Sequence, residues 1–451
     1  MRLTVLGGGG FRVPLIFRSL LADDQGSPVR DLVLYDIDER RLRLVAAVLS
    51  RLTEETGSVA GRVAPRVHLS TDLPGALRGA DFVFSAVRVG GLTGRVCDER
   101  AALAEGLLGQ ETTGAGGVCY GLRTVPVAVR IAETVREVAP DAWVINFTNP
   151  AGMVTEAMTS VLGDRVVGIC DSPVGLFRRV ARALAIDPEQ AWFEYAGLNH
   201  LGWLQAVLLD GRDRLPELLA DVDRLDTFEE GRLFGAERLQ SLGCLPNEYL
   251  WYWYFTADAV RAGTQAAETR GEFLHRQQSA FYDAEASGDV LRRWQDAHRE
   301  REETYLAEGR AQSGAGERDA LDLEGGGYDQ VALALMRSIA GDRRTTLVLN
   351  VRNRSALTGL DSDAVVEVPC TVDADGPQPL ATQPLGVPEM RLVRIMKEVD
   401  RATIHAARTG SLALATRALA MHPLVGSMAS ARRLLEAERA QLPELARVLV
   451  R

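Results

Sequence analysis

The chain opens on a short apolar run, Leu3–Leu6, that stops at Gly7-Gly8-Gly9-Gly10-Phe11-Arg12. A second apolar run, Leu32–Tyr35, ends in Asp36. A glycine turn between a strand and a helix lets the backbone approach a pyrophosphate, and the helix then points its first amides at the anion. An acid closing the second strand accepts hydrogen bonds from a ribose diol and repels a 2′-phosphate, which favours NAD over NADP. Gly7, Gly9, Gly10, Phe11 and Asp36 are therefore the expected cofactor-binding residues. Arg12 stands where a third glycine is common.

The alternation continues. Strands are expected at Phe82–Ala86, Trp143–Phe147 and Val166–Cys170. Between them helices are expected at Val13–Leu21, Arg40–Leu52, Leu73–Leu77, Val127–Val138 and Val154–Leu162. Apolar strands alternating with amphipathic stretches predict an α/β fold with a Rossmann-like, doubly wound parallel sheet over residues 1–170. Residues 171–451 read as a mixed α+β domain carrying substrate, metal and oligomer contacts. Its long amphipathic stretches are Ala266–Glu285, Val290–Gly309 and Glu389–Met421, its strands Thr345–Asn350 and Ala364–Val368, and Ala311–Gly327 reads as a mobile loop.

Charge narrows the partners. Of 451 residues, 51 are basic and 61 acidic, a net charge of −10. A nucleic-acid binder needs a basic face, so that class is excluded, while a local basic pocket for a small anion is not. Lys397 is the only lysine and lies in no phosphate-binding or Schiff-base motif. The five cysteines are scattered without a C-x-x-C pair, as in a reducing compartment. No apolar run approaches the roughly 18–20 residues that cross a bilayer. The expectation is a cytoplasmic protein with no membrane partner.

Polar residues concentrate in four places. Arg88 and Arg95 flank glycines after the third apolar run, where guanidinium groups can fork onto phosphate or carboxylate. Asn149-Pro150 follows another run, at a strand end where such sheets place ligands. Cys170-Asp171 and Asn199-His200 combine a thiol with an imidazole, a donor pair suited to a transition metal in an open site. The run Pro246–Tyr254 offers Tyr249 and Tyr252, either of which needs a nearby positive charge to act as a base.

The strings LGGGG, YDIDE, GLLGQETTGAGG, NFTNPAGMVTEA, VVGICDSP and GLNHLGW, in this order, resemble glycoside hydrolase family 4, and most closely its 6-phospho-β-glucosidases. The resemblance continues through PNEYLWYW, NVRN and VEVPC to ALATRALAMHPLVG. It is most specific in NP-x4-T-x9-R-x-V-G-x-C, from Asn149 to Cys170. It implies an NAD- and manganese-dependent glycosidase, outside the usual two-carboxylate scheme. In that chemistry the hydroxyl at sugar carbon 3 is oxidised and the proton at carbon 2 is removed. The aglycone is then eliminated, water adds, and the hydride returns. Carried over, Cys170 and His200 would be metal ligands, and Tyr249 the carbon 2 base with Tyr252 the alternative. Asn149 would bind sugar hydroxyls, and Arg88, Arg95 and Arg270 the phosphate and nearby oxygens. The substrate would be a phosphorylated disaccharide or aryl glycoside, and the assembly a homodimer or homotetramer. Asp171 is the residue that accompanies α-glycosidase members, where it looks like a general acid, whereas GGLTGR and QETTGAGG look like the β type. An NAD-dependent 2-hydroxy-acid dehydrogenase and a non-catalytic NAD-binding regulator are the alternatives. Neither has a use for the Cys170/His200 pair.

Overall fold

The computed structural model describes residues 1–23, 29–56, 64–283, 288–318 and 327–450. Six parallel strands form the N-terminal half: β1 (Arg2–Leu6), β2 (Asp31–Tyr35), β3 (Arg66–Ser70), β4 (Phe82–Ser85), β5 (Trp143–Asn146) and β6 (Val166–Gly168). Their order across the sheet is β3-β2-β1-β4-β5-β6. The order reverses between β1 and β4, so a crevice opens there past the carboxyl ends of the strands. Strands β1, β2 and β4 are almost wholly buried, as expected when helices cover both faces. Those helices include α1 (Val13–Ala22), α2 (Glu39–Thr56), α3 (Leu73–Leu77), α4 (Gly91–Ala104), α5 (Ala115–Val138), α6 (Ala151–Leu162) and α7 (Ser172–Leu184).

The sheet continues beyond residue 170. Antiparallel strands extend it from β6: in order Thr345–Arg352, Val365–Asp373, β7 (Trp192–Leu198) and β8 (Leu201–Leu209), with the short strands Leu245–Pro246, Arg212–Asp213 and Gly376–Pro379 at their edges. The molecule is thus one mixed sheet with a Rossmann-like half and an antiparallel half. Between β8 and residue 313 the chain is mostly helical.

The strands and helices expected in the first 170 residues are present, with ends shifted by a few residues. The larger differences have local causes. Helix α5 begins twelve residues before Val127, because Gly114 supplies a positive φ (79°) that starts the helix early. The long segment expected over Glu389–Met421 is two helices, Val387–Thr409 and Leu412–Met421. They part at Gly410, whose φ of 68° is the left-handed turn that glycine accepts. Likewise Val290–Gly309 is a helix over Val290–Glu303 and another over Ala307–Ser313. Of the expected loop Ala311–Gly327, the first three residues end that second helix, and residues 319–326 lie outside the described residues. No helix among the described residues is long and apolar enough to cross a membrane.

Candidate active site

The glycine turn lies at the end of β1. Gly7 has φ +80°, and a Cβ there would come 2.5 Å from the Ala86 carbonyl oxygen, so only glycine fits. The Gly9 amide donates to Asp36 (3.0 Å), which ties the turn to the end of β2. The Gly8 and Gly10 amides donate to the carbonyls of Tyr35 and Gly7. The amides of Phe11 and Arg12 make no hydrogen bond among the described residues, which leaves two donors at the start of α1, where a pyrophosphate is bound in such folds. The Phe11 ring is buried against Phe281 and Trp294, so this residue offers only its amide to a ligand. These features fit a dinucleotide.

The C-terminal half grips the same turn. Tyr282 donates its hydroxyl to the Gly9 carbonyl (2.8 Å), the Trp294 indole to that of Phe11 (2.9 Å), and Tyr328 to that of Arg12 (3.0 Å). The Arg12 guanidinium lies over the Phe147 and Tyr328 rings, 5.4 and 5.3 Å from their centroids.

Asn146, at the end of β5, is fully buried. Its amide donates to Thr148, Ala151 and Thr155 and organises the loop that carries Asn149. Asn149 itself precedes a cis bond to Pro150. Cys170 follows β6 with its sulfur buried, and burial and the charges of Glu367 and Asp171 push its thiol well up. An electronegative surrounding of that kind favours a bound cation.

His200 occupies the tight turn between β7 and β8 with φ 61°. Burial lowers its pKa to about 3, so the ring is neutral at ordinary pH. Its Nδ1 lies 2.7 Å from the Thr112 hydroxyl, which in turn lies 3.1 Å from Oε1 of Gln110. That Oε1 only accepts, and it also receives the amides of Thr112 and Thr113. The Thr112 hydroxyl therefore donates to Gln110 and accepts from Nδ1–H of His200, and the Nε2 lone pair is left for a metal. Among the described residues no group of three His, Cys, Asp or Glu stands close enough to hold an ion. Thiol, imidazole and negative field fit a cation whose remaining ligands come from substrate or water.

Tyr249 packs face to face on His200, with centroids 3.6 Å apart and planes 7° from parallel. Burial and Glu248 push its phenol up, and a hydrogen bond from Tyr305 (2.8 Å) opposes this. Tyr252 stands farther off, 6.5 Å from Tyr249 centroid to centroid, beside a cleft lined by Arg95, Gln110, Arg270 and Glu308.

The arginines fall into two groups. Arg88 and Arg95 clasp Glu111 between them, and Arg95 also holds Glu99 (2.8 Å). Burial alone would raise the Glu111 carboxyl, but the two guanidiniums bring it well below the usual range. Arg270 and Arg301 have less compensation. Burial and the charge of Arg95 lower Arg270 to about 10, and burial with the charges of Arg12 and Arg270 lowers Arg301 to about 9. Two partly buried cations that repel each other favour an anionic ligand. The sequence marks neither Arg12 as a side chain of the site, nor Thr112, Arg301, Tyr305 or Glu367. Glu367 is buried beneath the site and accepts from Asn199, Asn350 and Tyr195.

Two family models match the chain: family 4 glycosyl hydrolase over residues 2–186, and the family 4 glycosyl hydrolase C-terminal domain over residues 195–425. The "Probable 6-phospho-beta-glucosidase" of Bacillus subtilis (strain 168) is 33% identical over 98% of both chains. The 6-phospho-alpha-glucosidase 1 of Lacticaseibacillus paracasei is 29% identical over 96% of this chain and 95% of its own. The crystal structure of the 6-phospho-beta glucosidase of Thermotoga maritima with manganese, NAD+ and glucose-6-phosphate superposes with a TM-score of 0.82. It covers 99% of both chains at 26% identity.

Proposed function

The chain belongs to glycoside hydrolase family 4, and on that premise we propose that it hydrolyses 6-phospho-β-glucosides with NAD and a divalent cation, manganese above others, held in the cleft. One observation carries this reading: a neutral, buried His200 lies flat against Tyr249, the two rings 3.6 Å apart. Arg270 and Arg301 support a phosphorylated sugar, because a phosphate dianion relieves their repulsion. The relatives and the Thermotoga structure, named for phosphorylated glucosides, support the same substrate class.

Gly7, Gly9, Gly10 and the amides of Phe11 and Arg12 cradle the dinucleotide, and Asp36 takes its ribose. Cys170 and His200 hold the cation. When bound, the dinucleotide supplies a hydride sink at sugar carbon 3, and the cation supplies positive charge for the oxygens of carbons 2 and 3. Tyr249 takes the acidified proton from carbon 2 and the aglycone leaves carbon 1; water then adds at carbon 1, a proton returns to carbon 2 and the hydride returns to carbon 3, so that the net change is hydrolysis. Asp171 gives a proton to the departing oxygen. Asn149 orients the sugar hydroxyls, and Arg88, Arg95 and Arg270 hold the phosphate end. A homodimer or homotetramer belongs to the same reading.

Asp171 directly after Cys170 favours a second reading, cleavage of 6-phospho-α-glucosides, and α-type relatives cover the chain nearly as fully. The experiment is a panel of α- and β-linked, gluco and galacto, phosphorylated and free aryl glycosides, each with and without NAD and manganese. Turnover of the phosphorylated β-glucoside only when both additions are present is the expected result. Activity that survives complete removal of NAD would overturn the redox reading, and preference for the α-linked substrate would replace β by α.

A further inference from the structure

Tyr305 lies in the turn between the helices Val290–Glu303 and Ala307–Ser313, just before the left-handed Leu306 (φ 50°). Its position is fixed at three points. The Arg310 guanidinium donates to its carbonyl, the Arg318 guanidinium lies over its ring 4.7 Å from the centroid, and its hydroxyl reaches the hydroxyl of Tyr249 at 2.8 Å. Arg318 is itself anchored on Glu302 (2.9 Å).

We propose that Tyr305 is the positioning residue for the carbon 2 base, an inference that rests on the reading of Tyr249 as that base. Stacking on His200 sets the plane of the Tyr249 ring, but it leaves the direction of hydrogen bonding at the phenol oxygen open. A phenol that is to accept a proton from carbon carries none of its own, so in that form Tyr305 must be the donor between the two hydroxyls. The donated hydrogen bond occupies one acceptor direction of the Tyr249 oxygen. The other is left for carbon 2. Correct placement of a base within hydrogen-bond reach is what general-base catalysis requires. The sequence conceals this partner, since Tyr305 is 56 residues from Tyr249 and follows the charged run Arg299–Glu303.

The experiment compares Tyr305→Phe with two enzymes in which residue 305 is 4-aminophenylalanine or 4-methylphenylalanine. These last two match in volume, and only the first carries a donor. Each is assayed as the NAD- and manganese-loaded enzyme for kcat, KM, NAD affinity and exchange of the carbon 2 hydrogen with solvent. Tyr305→Phe and the methyl enzyme are expected to lose about tenfold or more in both kcat and exchange, the scale of one charge-assisted hydrogen bond. KM and NAD affinity stay at wild-type values, and the amino enzyme recovers most of the loss. Wild-type exchange in Tyr305→Phe, or an amino enzyme no faster than the methyl enzyme, overturns the proposal. Tyr249→Phe separates the two layers. If it still exchanges the carbon 2 hydrogen, the base is misassigned. If it is silent while Tyr305→Phe is unimpaired, only the positioning role falls.

Discussion

Cys170 and His200, the proposed ligand pair, sit in different parts of the sheet, one beyond the end of β6 and one in the turn between β7 and β8. Behind the imidazole stands the chain from His200 through Thr112 to Gln110, which selects the tautomer. Removing Thr112 as a partner should therefore act on metal affinity. Thr112→Val is expected to weaken manganese binding by roughly 10–100-fold, and Thr112→Ser to keep it, as read by titration calorimetry. Cys170→Ser should weaken it further while NAD binds as before. Unchanged manganese affinity in Thr112→Val would remove the tautomer argument. Cys170 and His200 can be proposed as a pair from the sequence because each sits beside a strand end and belongs to a specific string. Thr112 can be read only as part of a glycine-rich turn, and Arg301 only as one charge in a charged helix. Residues at helical spacing that alternate in sign look like a solvated face, and the nearness of Arg301 to the charges of Arg12 and Arg270 is a property of the folded chain alone.

At the scale of elements, the arginine-bearing helix α4 and the long helix α5 are joined to the helix Met428–Gln441 by a buried triad. Arg123 on α5 forks onto Asp98 of α4 (2.6 and 2.7 Å) and lies 3.5 Å from Glu438. All three are at most 2% exposed. Loss of one partner from such a group leaves uncompensated charge in the interior. Arg123→Met is expected to cost about 3–5 kcal/mol in denaturant unfolding. A loss under about 1 kcal/mol would mean that water reaches the two carboxylates. Strand and helix alternation makes five of the six parallel strands legible in the sequence; the sixth, β3, is a largely exposed edge strand with little apolar sequence to mark it. The antiparallel half is harder: β7 and β8 are buried on both sides, and their near-continuous apolar sequence carries no period of two. The breaks at Leu306 and Gly410 are single-residue events that an amphipathic pattern runs straight across.

The whole molecule carries a pH signature from a histidine outside the cleft. His422 is 1% exposed, stacks on Trp253, and accepts the Leu424 amide at Nδ1 (3.1 Å). Burial lowers its pKa to about 3, against about 6.5 in an unfolded chain. The folded state stays neutral while the unfolded state takes up a proton, so stability held above about pH 6.5 is lost as the pH falls toward about 3. Compared with His422→Leu, the wild type should lose about 1.2 kcal/mol more between about pH 6 and pH 5 in urea unfolding. Parallel curves for the two proteins would show that His422 protonates in the folded state.

The clasp on the first turn has a consequence for how this protein can be taken apart. Three carbonyls at residues 9, 11 and 12 are capped by side chains more than 250 positions away. A fragment cut after β6 would keep every glycine of the motif, yet lose the groups that satisfy it and the rings that cover Phe11. The first half of this chain is therefore no transplantable cassette. Whatever nucleotide it captures is captured by both halves together, and occupancy at the amino end should steady the carboxyl end as well.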